Sequence, residues 1–216
     1  TPAQSMRVIY DTGSSNTWLP GHDCKETSCD KYGKYNRHQS HTFAEMYTQE
    51  GLGEAKAHPH FFIKYGSGLV RGKVVMDDIA MGGIRLKKAR FGDVTYENGH
   101  AFRKGHFSGI VGLAFPSLAA ANMYPLFDQV IDQKVLNKNE FAFYLSNRID
   151  KPSRLMLGDS AKGSYTGQLH HHNVVENNYW TVRMLDLMVG DKRLGMCPPQ
   201  GCRVAMDSGT SLVTGP

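Results

Sequence analysis

The amino-acid sequence predicts an all-β fold. Three observations carry that expectation. Short apolar runs alternate with turn residues along most of the chain, 23 glycines and 9 prolines supply the punctuation, and only one stretch has helical periodicity. With 40% apolar and 21% charged residues among 216, the composition is that of a folded protein able to bury one or two cores.

The elements can be justified in chain order. Residues 7–15, Arg-Val-Ile-Tyr-Asp-Thr-Gly-Ser-Ser, read as an apolar strand that breaks into a turn at Asp11. Residues 61–72 read as a hairpin, two strands joined by a turn that contains Gly66, Ser67 and Gly68. Strand-like runs follow at 73–81 and 88–94. The stretch 107–116 carries glycines that imply close backbone packing. The helix is expected at 125–136, with Pro125 in the first turn and Phe127, Val130 and Ile131 as its core-facing stripe. Further strands are expected at 140–145, 154–157, 179–189 and 203–206.

The last of these leads into a repeat. Residues 203–211, Arg-Val-Ala-Met-Asp-Ser-Gly-Thr-Ser, match residues 7–15 at a spacing of 196, with five of nine positions identical. Each copy presents an aspartate, Asp11 or Asp207, where a strand gives way to a turn. A single Asp-Thr-Gly or Asp-Ser-Gly is equally well a plain turn, but two in matching contexts point to chemistry. Carboxylates about 3–4 Å apart cannot both ionise cheaply, so one keeps a proton; such a pair can hold a water and act on it as base and acid together.

Charge and cysteines bound the alternatives. The formal charge of +5 is scattered, and the small cluster of Arg85, Lys87, Lys88 and Arg90 reads as a solvated strand face, not a nucleic-acid surface. No apolar run is long enough to cross a bilayer, and nothing at the amino end resembles a signal peptide. The cysteines form two local pairs, Cys24 with Cys29 and Cys197 with Cys202. Spacing alone leaves disulfide hairpins, metal half-sites and buried thiols open. The tight turn implied by Pro198, Pro199 and Gly201 suits a disulfide staple. His170, His171 and His172 read as a solvated strand end, since no carboxylate or cysteine spacing completes a ligand set.

The segments 8–20 and 204–216 resemble the two active-site segments of the pepsin-like aspartic proteases, the family of pepsin, cathepsin D and the plasmepsins. Tyr65-Gly66-Ser67-Gly68 is similar to that family's flap hairpin, 107–116 to its hydrophobic-glycine segment, and both cysteine pairs lie where it has small disulfide loops. The resemblance runs from Met6 to Pro216.

It implies a bilobal all-β fold with one catalytic aspartate per lobe and extended peptide substrates under the flap. It places 1–150 in the first lobe and 151–216 in the inter-lobe strands and the start of the second. Only nine residues follow Asp207, so the second lobe is expected to be incomplete here, as are the first strands. By resemblance, Asp11 and Asp207 hold the attacking water, Ser14 and Thr210 bond their outer oxygens, and Thr12 and Ser208 lock the two loops together across Gly13 and Gly209. Ser208 stands where the family more often has Thr. Tyr65 is implied to hydrogen-bond the Trp18 indole, with Gly66 and Ser67 at the flap tip. Ile9, Phe107 and Ile110 match apolar walls beside the scissile bond. The implied disulfides are Cys24–Cys29 and Cys197–Cys202.

Ser108 and the basic stretch 97–106 depart from pepsin, and 38–60 looks like an insert rich in His and Glu. The expected protein is a monomeric, zymogen-derived endopeptidase of the secretory pathway, secreted or in an acidic vesicle, vacuole or lysosome-like compartment. It needs no cofactor or metal, cuts between apolar residues and binds pepstatin-like inhibitors. The competing reading is a pepsin-like binding module that has lost catalysis; such loss usually replaces an Asp, its Gly or the flap Tyr, and all are present. A retroviral-type dimer conflicts with two distinct motifs on one chain.

Overall fold

The computed structural model describes residues 2–47, 57–159 and 163–215. Strands dominate, as the sequence predicts. A seven-stranded sheet is formed by β1 (Val8–Asp11), β2 (Thr17–Pro20), β3 (Ala44–Glu45), β4 (His60–Tyr65), β5 (Gly68–Met81), β6 (Ile84–Gly99) and β7 (Gly109–Gly112). Its order is β1-β7-β2-β6-β5-β3, with β4 paired to β5. β7 lies between β1 and β2, parallel to the first with Ile9 opposite Ile110 and Asp11 opposite Gly112, and antiparallel to the second. The chain therefore leaves β1 at Asp11, passes over the end of β7 and returns as β2. A Cβ on Gly112 would collide with the Ser14–Asn16 backbone, so this close pass explains the glycine.

Helix α1 (His100–Lys104) follows β6, and α2 (Leu126–Asp132) packs beneath the sheet. β8 (Phe141–Tyr144) and β9 (Arg154–Leu157) form a hairpin. β10 (Val174–Asn177), β11 (Trp180–Met184), β12 (Met188–Val189), β13 (Lys192–Arg193) and β14 (Cys202–Ala205) complete the chain. Of these, β10-β11-β14 make one antiparallel sheet and β12-β13 a ribbon. One core gathers Trp18, Val70, Val74, Val94, Phe102 and Ile110; a second sets Leu126, Phe127 and Val130 of α2 against Leu86, Val111 and Leu113. Each such side chain contributes about 1.5–3 kcal/mol by leaving water.

Several boundaries differ from expectation. The runs at 61–72 and 73–81 share one long strand, β5, which meets β4 through a two-residue turn at Gly66-Ser67. The helix is shorter than 125–136: Pro125 caps it instead of entering it, and Lys134 adopts φ 52°, which no right-handed helix accepts. The run at 179–189 splits into β11 and β12. Asp186 lies between them and accepts bonds from the amides of Leu187, Gly195 and Met196, which turns the chain. Within the insert-like 38–60, residues 48–56 lie outside the described residues; on its flanks His58 sits 3.8 Å from the Glu45 carboxylate. His170, His171 and His172 are exposed ahead of β10. No helix among the described residues is long and apolar enough to cross a membrane.

Candidate active site

The sequence repeat becomes a repeat of hydrogen bonds. In the first loop the Gly13 amide donates to Asp11 Oδ1 at 2.8 Å and the Ser14 hydroxyl donates to Oδ2. In the second the Gly209 amide donates to Asp207 Oδ1 at 2.8 Å and the Thr210 hydroxyl to Oδ2 at 2.5 Å. Each carboxylate is fixed by its own turn, an Asx-type geometry that needs only Asp, a flexible second residue and a hydroxyl.

The loops are then laced to each other. Thr12 Oγ1 donates to Met206 O at 2.7 Å, and Ser208 Oγ donates to Tyr10 O at 2.7 Å. The Ser208 amide donates to Thr12 Oγ1 at 2.9 Å and the Thr12 amide to Ser208 Oγ at 3.1 Å. This lacing turns the two aspartates toward each other. A Cβ on Gly13 would stand 2.5 Å from the Asp207 carboxyl, and one on Gly209 would overlap that of Asp11. Each carboxyl thus faces the glycine of the opposite loop.

Asp11 is buried and Asp207 is exposed. Burial pushes Asp11 above its ordinary value; the Ser14 and Gly13 bonds pull it down, and the facing Asp207 adds to the rise.

Above Asp11 stands Tyr65, at the end of β4. The Trp18 indole N–H donates to its hydroxyl at 2.8 Å. Burial, followed by the nearby Asp11 charge, raises the Tyr65 hydroxyl to about 12. Gly66 and Ser67 are exposed at the hairpin tip. Ile110 is buried against Trp18, whereas Ile9, Phe107 and Tyr65 are only partly buried around the same core. The sulfur atoms of Cys24 and Cys29 are joined, as are those of Cys197 and Cys202.

Several residues of this region were not singled out from the sequence. Phe102 of α1 stands edge-on to Trp18 at 5.6 Å and to Tyr65 at 6.1 Å, a lone apolar side chain within a stretch that reads as polar. Asn16 brackets residue 120, donating to Ala120 O and accepting from its amide. The Ser15 hydroxyl donates to Phe115 O. Behind Trp18, Arg37 joins the exposed Asp23 at 2.6 Å to the buried Asp93 at 3.0 Å. Neither the lone Phe in a polar run nor these cross-chain polar pairs carry a local sequence pattern.

Comparison with known proteins bears on the whole of this arrangement. The sequence profile of the eukaryotic aspartyl proteases matches residues 1–216. Cathepsin D of Chionodraco hamatus is 36% identical over 220 residues, covering 100% of this chain and 52% of that protein. Cathepsin D of Homo sapiens is 35% identical over 231 residues, covering 100% of this chain and 53% of that protein, and that of Bos taurus is 34% identical with coverage of 100% and 55%. The chain thus spans about half the length of the curated relatives it matches. With its profile matched from end to end and its two Asp loops laced together, the chain belongs to the eukaryotic aspartyl protease family.

Proposed function

We propose that the protein to which this chain belongs is an aspartic endopeptidase with Asp11 and Asp207 as its catalytic pair. One observation carries the reading: the reciprocal bonds between Thr12 and Ser208 hold two aspartate turns, 196 residues apart, face to face. In this mechanism one carboxyl is protonated and the other ionised, and a water is held between them. The ionised group takes a proton from the water as its oxygen attacks the peptide carbonyl, while the protonated group hydrogen-bonds the carbonyl oxygen. The tetrahedral intermediate collapses when the leaving nitrogen receives a proton, and the C–N bond breaks. Ser14 favours the ionised form of Asp11, Thr210 fixes the Asp207 carboxylate by a hydrogen bond, and Gly13 and Gly209 let the loops approach.

The substrate in this reading is an extended peptide beneath Tyr65, with apolar side chains beside the cut received by Ile9, Phe107, Ile110 and the Tyr65 ring. Pepstatin-like compounds, whose hydroxyl takes the water's place, are the fitting inhibitors. The two disulfides fit maturation in an oxidising compartment, and a secretory, vesicular or lysosome-like setting is proposed accordingly. No cofactor or metal has a part in the mechanism. Hydrolysis of a peptide library by the full-length protein tests the proposal. Cleavage between apolar residues, lost in Asp207→Asn and blocked by a pepstatin-like compound, is the expected result. Tight inhibitor binding without cleavage would instead make it an inactive binding module.

A further inference from the structure

The surface beyond Tyr65 is basic. Phe102 connects this end to the site: its ring stands edge-on to both Trp18 and Tyr65, and the Trp18 indole donates to the Tyr65 hydroxyl. On the solvent side of the same short helix, Arg103 and Lys104 are exposed. The Lys31 ammonium donates to Arg103 O, which draws a third cation to the helix end. Beside it the Tyr32 hydroxyl and His106 Nδ1 lie 2.6 Å apart, and the Arg7 guanidinium sits 5.7 Å from the centre of the Tyr32 ring. Neighbouring acids do little to offset this. Asp30 is paired with Lys34 at 2.6 Å, and Glu97 is 4% exposed. The Arg103 guanidinium donates to Asn98 Oδ1 at 3.1 Å, so Arg103, Lys31 and Arg7 are held by neutral amide, backbone and aromatic partners.

We propose, resting on the peptidase reading of the site, that this basic rim selects substrates with an acidic residue a few positions from the cut, on one side only. One aromatic layer, Phe102 against Tyr65 with ring centres 6.1 Å apart, separates the rim from the residues around Asp11, a span of about three residues of extended chain at roughly 3.3 Å each. A substrate carboxylate there meets Arg103 and Lys104 without displacing any partner carboxylate. The apolar walls choose the residues at the scissile bond, and the rim chooses a more distant one. Opposite charge at a cleft margin raises the encounter rate as well as affinity, and added salt weakens both effects.

The test uses the full-length protein and peptides that differ only in Glu or Lys, placed in turn two to four residues before or after an apolar pair. The assay runs at about pH 5.5, where a substrate Glu is ionised. At one position on one side, Glu is expected to exceed Lys in kcat/KM by about three- to tenfold, with a smaller ratio at high salt. In R103E/K104E the ratio is expected to invert. A parallel arm measures anisotropy of the same peptides with the scissile amide reduced, so that it does not depend on turnover. Tighter binding of the Glu peptide, lost in R103E/K104E, with no cleavage of the normal peptides would keep the rim and sink the peptidase reading. Equal rates and equal binding for Glu and Lys at every position would overturn the rim, as would no peptide binding at all. A ratio unchanged in R103E/K104E would also overturn it, and a wild-type circular dichroism spectrum for that variant excludes misfolding as the cause.

Discussion

At the scale of single residues, the site depends on what is absent as much as on what is present. Gly209 has no side chain, and the space a Cβ would fill is occupied by the Asp11 carboxylate. Gly209→Ala should therefore push one carboxylate off the other without removing any catalytic group. Displacements near 1 Å cost on the order of 10²-fold in rate, so kcat/KM of the full-length variant is expected to fall about that far with its circular dichroism unchanged. Retention of wild-type rate would mean that the carboxylates do not face each other through that gap. Away from the site, Tyr35 is buried and donates to Asp77 Oδ2 at 2.6 Å, while Thr42 donates to Oδ1 at 2.5 Å. Burial alone would raise Asp77, but hydrogen bonds from Ser40, Thr42, Tyr35 and the Asp78 amide outweigh it and hold the carboxyl below its ordinary value. A depressed carboxyl stabilises the fold above its unfolded pKa of about 3.9, and that stabilisation is lost as pH falls through the folded value. Asp77→Asn is thus expected to melt below wild type at pH 6, the gap closing below about pH 4. Tyr35→Phe should cost about 1–3 kcal/mol in urea unfolding, since it leaves a buried acceptor short of a donor.

At the scale of elements, the hairpin of β4 and β5 is clamped just behind its exposed Gly66-Ser67 turn. The clamp is aromatic: Phe102 stands edge-on to Trp18 and Tyr65, and Phe107 lies 6.3 Å from Phe102. Phe102→Ala removes its centre. A loss of about 3–5 kcal/mol is expected, with faster amide exchange at Gly66-Ser67-Gly68 than elsewhere in β5. Unchanged exchange there would show that α1 does not restrain the hairpin. This clamp also marks the limit of reading from sequence. The hairpin was legible because its strands alternate around a glycine turn, and the Asp loops were legible because they occur twice. α1 was not, because five residues with one buried Phe make no periodic signal, and its position comes from rings contributed by β2 and β4. Likewise the 179–189 run reads as one strand, since nothing local reveals that the Asp186 carboxylate will gather amides from residues 187, 195 and 196. Short-range chemistry wrote the turns and strands into the sequence; contacts between distant segments decided where they stop.

At the scale of the whole molecule, the described strands bring two aspartates from distant parts of the chain together, and their proximity bears on how Asp11 titrates. Burial raises Asp11 first, and the charge of Asp207 raises it further, so a proton is retained at the pair to higher pH than an isolated carboxyl would hold it. Two coupled carboxylates lose their protons in two macroscopic steps that belong to the pair. Below the first step both are protonated and neither can accept a proton from water; above the second both are ionised and neither can donate to the carbonyl oxygen. Turnover by the full-length protein is therefore expected to follow a bell-shaped pH profile on the acid side of neutrality, bounded by those two steps. Asp207→Asn separates this from a mere charge effect, because Asn keeps the size and a hydrogen-bonding oxygen but cannot exchange a proton. The variant should retain the fold and lose turnover at every pH, since its single remaining carboxyl cannot be base and acid at once. A profile merely shifted along the pH axis, with the maximum rate retained, would mean that Asp207 tunes Asp11 without taking part in the reaction, and a one-carboxylate mechanism would have to replace the pair.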